Sequence, residues 1–107
     1  MAASDLIKVR ATITFVSTEK GGRAGPAKSG YRPNHNFGLA TDTLMQIGKV
    51  DFETRAEVLP GESATAIVTF LGNADLEAQI RIGREWRVQE GTRLVATATV
   101  TEVLCEP

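Results

Sequence analysis

The sequence predicts an all-β fold, either an antiparallel sandwich or a closed barrel. Alternating apolar and polar residues recur in short runs, with turn residues between them at intervals of roughly a dozen positions. No apolar stripe with the helical period extends beyond a single turn. Because strands without intervening helices pair with their neighbours in antiparallel sheets, helix is expected to be the minority conformation.

The first strand is the clearest element. Over residues 7–15 apolar side chains occupy every odd position and polar side chains every even one, so one face is predicted to lie in the core. The residues from Ser17 to Gly22 then supply a turn, because the paired glycines Gly21 and Gly22 can take positive φ.

Residues 21–42 concentrate glycine, proline and positive charge and are predicted to form one long surface loop that leads into a strand. Basic residues here precede any acid until Asp42, so they form either a solvated face or a site for an anion or an acidic partner. Tyr31 and Arg32 are candidates for binding or for bracing the loop. The basic residues of this region and of the position just before it are Lys20, Arg23, Lys28 and Arg32.

The segment from Gly22 to Ser29 differs by one residue from the phosphate-loop pattern G-x-x-x-x-G-K-[ST], because Ala27 replaces the second glycine. A working phosphate loop needs converging backbone amides and a helix that begins at the Lys-Ser pair. Gly30 and Pro33 follow at once, without helical periodicity. We therefore expect neither a nucleotide nor another cofactor to bind.

The middle of the chain is less regular. Residues 37–40 are predicted to form a short strand, residues 44–48 are a further apolar run, and residues 52–58 have mixed character. Residues 59–62 carry a strong turn signal, because proline presets φ and the next residue is glycine. Residues 64–70 are then predicted to form a strand that is buried on both faces.

The last third repeats the strand pattern after one helical turn predicted over residues 73–78. Ile80 and Ile82 are predicted to lie on the next strand, and residues 87–93 form a hairpin that turns at Glu90-Gly91. The final strand is the longest, with apolar residues at alternate positions from Leu94 to Val100.

Three single residues invite a chemical interpretation. Trp86 is predicted either to anchor an interface, as tryptophan often does, or to cap the barrel with its Nε1 in water. His35, the only histidine, has no ligand-type residue at metal-site spacing, so a polar loop residue is expected rather than a metal ligand. Cys105 has no disulfide partner, which fits a reducing compartment, and is expected to pack at the end of the barrel or to be exposed.

Composition limits the classes of function. The 107 residues are expected to form one domain spanning positions 1–107, with 42% apolar and 23% charged residues as in soluble globular proteins. The start of the chain has no signal-peptide pattern and no apolar run could span a bilayer, so a cytoplasmic protein without a membrane partner is predicted. No catalytic constellation stands out, so an enzyme is not expected.

Short motifs along nearly the whole chain resemble the C-terminal domain of elongation factor Tu. They are Gly21-Gly-Arg23, Gly30-Tyr-Arg-Pro33, Thr41-Asp42, Val58-Leu-Pro-Gly61, Val68-Thr69 and Glu90-Gly91 with Arg93. The resemblance implies a six-stranded antiparallel closed β-barrel without chemistry of its own, here as a free-standing domain. In that family the domain packs beside a second barrel and a GTPase domain and touches the T-stem backbone of aminoacyl-tRNA.

Two functions remain open. The favoured prediction is a non-catalytic protein-protein interaction domain with a translation-factor-like barrel, which docks an unidentified protein through the basic loop and the region of Trp86. The alternative is an RNA-binding module related to translation elongation, in which the loop and Arg81, Arg84, Arg87 and Arg93 form one basic surface. The net charge of -1 favours the first. The predicted binding residues are Lys20, Arg23, Lys28, Tyr31, Arg32, Trp86, Arg87 and Arg93.

Overall fold

Six strands close into an antiparallel barrel in the computed structural model, which describes residues 6–104. The barrel order is β1-β6-β4-β3-β7-β8, and β2 pairs with β5 in a separate two-stranded sheet. The predicted all-β class and the six-stranded closed barrel are thus confirmed. The elements are β1 (Leu6–Phe15), β2 (Ala27–Lys28), β3 (Asn34–Asn36), β4 (Gln46–Phe52), β5 (Glu57–Val58), β6 (Ser63–Leu71), helix α1 (Ala74–Gln79), β7 (Glu85–Glu90) and β8 (Arg93–Leu104).

Strand β1 follows the predicted alternation. It pairs with β6 on one side and with β8 on the other, so both of its edges are hydrogen-bonded. Its odd positions point into the barrel, and all of them are buried. The even positions face outward because successive side chains of a strand point to opposite faces. The buried residues of β1 are Ile7, Val9, Ala11, Ile13 and Phe15.

Strand β6 is buried on one face only, so the prediction of burial on both faces is wrong. Ala66, Val68 and Phe70 are fully buried, whereas Ile67 and its outward neighbours are only half-buried. A single closed barrel has one interior, so the outward side chains of this strand lie outside the core.

The predicted long surface loop is wrong in its centre, because residues 34–36 form barrel strand β3. Asn34 pairs with Ile47 of β4 and with Gln89 of β7, which places this segment between two strands. Asparagine is depleted in strands, so local preference gives no signal for β3. The predicted strand at residues 37–40 is absent as such, and β3 ends immediately before it.

Helix α1 confirms the predicted helical turn. The side chain of Asn73 caps it by accepting a hydrogen bond of 2.8 Å from the Leu76 amide, and Leu76 is buried against the barrel. The strand predicted at Ile80 and Ile82 is wrong. Ile80 ends the helix, and Ile82 is 70% exposed in the turn before β7.

The predicted hairpin is formed by β7 and β8. Glu90 pairs with Arg93, so the loop is Gly91-Thr92, one residue later than expected, with Gly91 at φ 61°. The long last strand is confirmed. Its Ala98 pairs with Trp86 and is buried with it.

The antiparallel order gives the barrel two distinct ends. At the helix end, α1 follows β6 beside the first residues of β1, β4 and β7. At the turn end lie the last residue of β1 and the 59–62 turn, in which the Glu62 amide donates to the Leu59 carbonyl at 3.1 Å. Gly61 has a φ of 89°, as the turn prediction requires. Cys105 lies outside the described residues.

Candidate functional site

Arg23 and Tyr31, two of the predicted binding residues, meet on the carboxylate of Glu90. Arg23 forms a salt bridge with Glu90, and the Tyr31 hydroxyl donates to Glu90 Oε2 at 2.5 Å. The Arg23 guanidinium lies 4.8 Å from the centre of the Tyr31 ring. It also donates to the carbonyls of Gly25 and Pro26 at 3.2 and 3.0 Å. The cluster therefore fastens the 21–33 segment to the end of β7.

The cluster of Arg23, Tyr31 and Glu90 has a structural role. Burial, reinforced by the hydrogen bond to Glu90, raises the pKa of the Tyr31 phenol well above its ordinary value of 10. The phenol therefore stays protonated and acts as a donor rather than as a base. Sequence reasoning missed Glu90, whose only signal was an acid in the hairpin turn.

The other basic residues of the 20–32 region are exposed. Among residues 6–104, no ion pair involves Lys20, Lys28 or Arg32. Lys28 lies in β2 instead of opening a helix, as the phosphate-loop pattern would require.

The arginines of the RNA hypothesis are spread from the segment before β7 to the start of β8, and two of them, Arg84 and Arg87, are engaged with the barrel. Arg84 precedes β7, whereas Arg93 begins β8 at the far end of the hairpin, roughly 20 Å away at the usual rise per residue. The Arg84 guanidinium donates to the Phe37 carbonyl and, at 3.0 Å, to that of Glu85. Arg87 donates to Gln89 Oε1 at 3.2 Å.

Trp86 lies in the core, which corrects both interpretations of it. The side chain is only 3% exposed, and its Nε1 donates to His35 Nδ1 at 3.0 Å rather than to water. The ring stacks on Phe37 at a centroid distance of 5.0 Å and meets Phe70 edge to face at 5.7 Å. Trp86 therefore offers almost no surface to a partner.

His35 is a fully buried strand residue, so the prediction of a polar loop residue is wrong. Because its Nδ1 accepts from Trp86, Nε2 carries the proton and donates to the Gly48 carbonyl at 3.1 Å. Burial lowers the pKa of His35 to about 4, although the hydrogen bond to Gly48 acts in the opposite direction. The ring is therefore neutral at physiological pH.

An exposed apolar surface lies elsewhere, in a row of side chains across three strands at the helix end. Leu6 of β1 pairs with Leu71 of β6, and Ile47 of β4 lies beside Leu71, one register step from the Gly48–Phe70 pair. The exposed fractions of Leu6, Leu71 and Ile47 are 41%, 53% and 60%. We call these residues the apolar row.

A shallow cavity of about 230 Å³ lies beside the apolar row. Besides the row itself, its lining includes Phe70, Gly48, Arg32 and Lys49. Gly48 keeps this region closely packed, because a Cβ there would lie 2.9 Å from the Phe70 ring. Sequence reasoning singled out only Arg32 here. In the sequence, the row is visible only as apolar residues at strand positions whose side chains point outward. Which of these residues become neighbours depends on the register between the strands.

Residues 6–104 contain neither a metal-binding cluster nor a membrane-spanning helix. No cluster of histidine, cysteine and carboxylate side chains in this part of the chain is arranged to hold a metal ion. Its single α-helix is too short and too polar to cross a membrane.

Comparison with known proteins identifies the part of a larger protein that this barrel resembles. No protein-family model matches the chain. The sequence is 34% identical over 93 residues to elongation factor Tu 2 of Streptomyces avermitilis, a match that covers 87% of this chain. The chain spans only 22% of the length of that relative. Together with the closed six-stranded barrel, this similarity shows that the chain resembles the C-terminal β-barrel domain of elongation factor Tu.

Proposed function

We propose that this chain is a non-catalytic protein-interaction module that binds its partner through the apolar row. The observation that carries the proposal is the exposure of Leu6, Leu71 and Ile47 side by side on an outer face that is otherwise largely polar. Contiguous exposed apolar side chains bordered by polar ones are typical of protein-binding surfaces.

The proposal moves the binding surface away from the basic loop and Trp86. Trp86 is buried and Arg23 is held by Glu90, so neither is available without disturbing the fold. Arg32 remains part of the proposed surface because it lines the cavity beside the row. A role in translation and a cytoplasmic location belong to the same proposal, since the similarity is to a translation factor.

Site-specific photocrosslinking in the source cells tests this function. A photoreactive amino acid at Leu71 should give a discrete adduct with another protein. The same group at Thr12, which is also exposed on the outer face, should not. Ile47→Asn should abolish the adduct because it removes an apolar contact without adding charge. Thr65→Asn, on the outward face of the same strand as Leu71, serves as the control and should leave the adduct unchanged.

Equal crosslinking from both positions would refute the proposal. Binding of tRNA to the purified protein tests the alternative function. If tRNA bound tightly with a steep salt dependence, and replacing the exposed Lys20 and Lys28 by Gln weakened that binding without changing the fold, the RNA function would replace the one proposed here.

A further inference from the structure

The charges that border the apolar row differ on its two sides, and this difference identifies the chemistry of a partner. We infer that the apolar row binds an acidic, apolar segment of another protein, whose carboxylates are directed toward the strand face and away from α1. This inference rests on the proposed function.

The strand side of the row is positive. Lys8 pairs in register with Thr69, and Lys49 pairs with Thr69 from the other side, so a basic line runs parallel to the row on the same outward face. Within residues 6–104, Lys8 takes part in no ion pair. Lys49 forms an ion pair with Asp51 at 3.4 Å, and both side chains are 41% exposed. Arg32 adds a further cation in the lining of the cavity.

The basic line is distinct from the next line of side chains farther along the strands. There Arg10 donates to Glu53 at 2.9 Å and also pairs with Glu102, so its charge is already compensated. Among the described basic residues on the outward face of β1, β4 and β6, Lys8 therefore remains without a carboxylate partner, and Lys49 has a single one.

The helix side of the row is acidic. Leu71 ends β6, and α1 begins shortly after it with Asp75 and Glu77, both exposed. No basic residue occurs in the last turn of α1. A carboxylate of the partner would be repelled from this border and attracted to the opposite one. Because the two borders differ in sign, the charges set the orientation of a bound segment.

The apolar contacts and the charges have different roles in this arrangement. Burial of the apolar row supplies most of the affinity, since the effect scales with the apolar area removed from water. Exposed ion pairs add little affinity each but discriminate between partners and speed their encounter. Binding should therefore weaken moderately with salt instead of disappearing.

Selection from a random peptide library displayed on phage, with the purified barrel as target, tests this inference. Peptides selected on the wild type are then tested for binding to the variant Leu71→Asn. Those that fail to bind the variant should combine Leu, Ile or Phe with neighbouring Asp or Glu. The double variant Lys8→Glu/Arg32→Glu should select Lys or Arg at those positions instead. The matched control Lys20→Glu/Lys28→Glu changes the net charge equally at exposed sites away from the row and should keep the acidic preference.

The outcomes separate the inference from the proposed function. Leu71-dependent peptides without acidic enrichment, or with basic enrichment, would overturn the inference and leave the apolar row as a binding surface. If no selected peptide depended on Leu71, both would be overturned. The wild-type selection decides this even if a charge variant does not fold.

Discussion

The buried pair of His35 and Trp86 makes stability depend on pH in a way that can be calculated. His35 is fully buried and neutral, accepting from Trp86 at Nδ1 and donating to Gly48 from Nε2. Protonating Nδ1 would remove the acceptor for Trp86 and place a charge in the core. The fold therefore disfavours the imidazolium, whereas the unfolded chain accepts the proton freely.

The magnitude follows from the two pKa values. Burial lowers the pKa of His35 from its ordinary value of 6.5 to about 4 in the folded protein. The neutral form is the folded form, so this contribution to the free energy of unfolding is fully present above pH 6.5. It is lost as the pH falls toward 4. Between pH 7 and pH 5 the linkage relation gives a loss of about 2 kcal/mol.

Urea unfolding followed by fluorescence measures this loss, because Trp86 is the only tryptophan and lies against His35. The perturbation is His35→Gln, which retains one acceptor and one donor but does not titrate. From pH 7 to pH 5 the free energy of unfolding of the wild type should fall by about 2 kcal/mol more than that of the variant. Because the two proteins share their other titrating groups, the difference between them removes the contributions of those groups.

Nuclear magnetic resonance gives an independent measurement, since the signals of the only histidine need no assignment. Its titration in the folded protein should have a midpoint near 4. A midpoint near 6.5, or equal losses of stability in wild type and variant, would refute the buried neutral ring.

Two further predictions concern the barrel and its loop. Val68 is fully buried, so Val68→Asp should cost several kcal/mol, comparable to the stability of a small domain, while the outward-facing Thr69→Asp should cost far less. Thermal unfolding compares them, and equal melting temperatures would contradict the assignment of the inward face. Glu90→Gln should cost about 1 kcal/mol because it weakens the contacts to Arg23 and Tyr31 at a partly exposed site. Chemical denaturation should show no comparable loss of stability for the control Glu19→Gln at an exposed position. If Glu90→Gln left the free energy of unfolding unchanged, this cluster would not brace the loop.

The sequence alone determined the strands whose side chains alternate regularly. In β1 the inward residues were predicted, as were Ala96, Ala98 and Val100 of β8, because the two-residue period of a strand is a local property that a single segment reveals. Val95 was predicted on the opposite side of β8 but is buried, beside a register shift in the pairing with β7. The turn at residues 59–62 was equally local, since proline and glycine restrict or extend the allowed φ values by themselves. The motif resemblance added the number of strands and the closure of the barrel.

The candidate site was only partly accessible in this way. The exposed cations Lys20, Lys28 and Arg32 were expected on the surface and lie there. The roles of Arg23 and Tyr31 were left open, because their common partner Glu90 is distant in sequence.

Tertiary structure decided the rest. Residues 34–36 have no local preference for a strand, yet they form β3 because β4 and β7 pair with them from both sides. Trp86 lies in the core on the inward face of β7, where His35 provides the buried acceptor for its Nε1. The apolar row exists only after β1, β6 and β4 align, because cross-strand register, unlike alternation, is set by contacts between segments far apart in the chain.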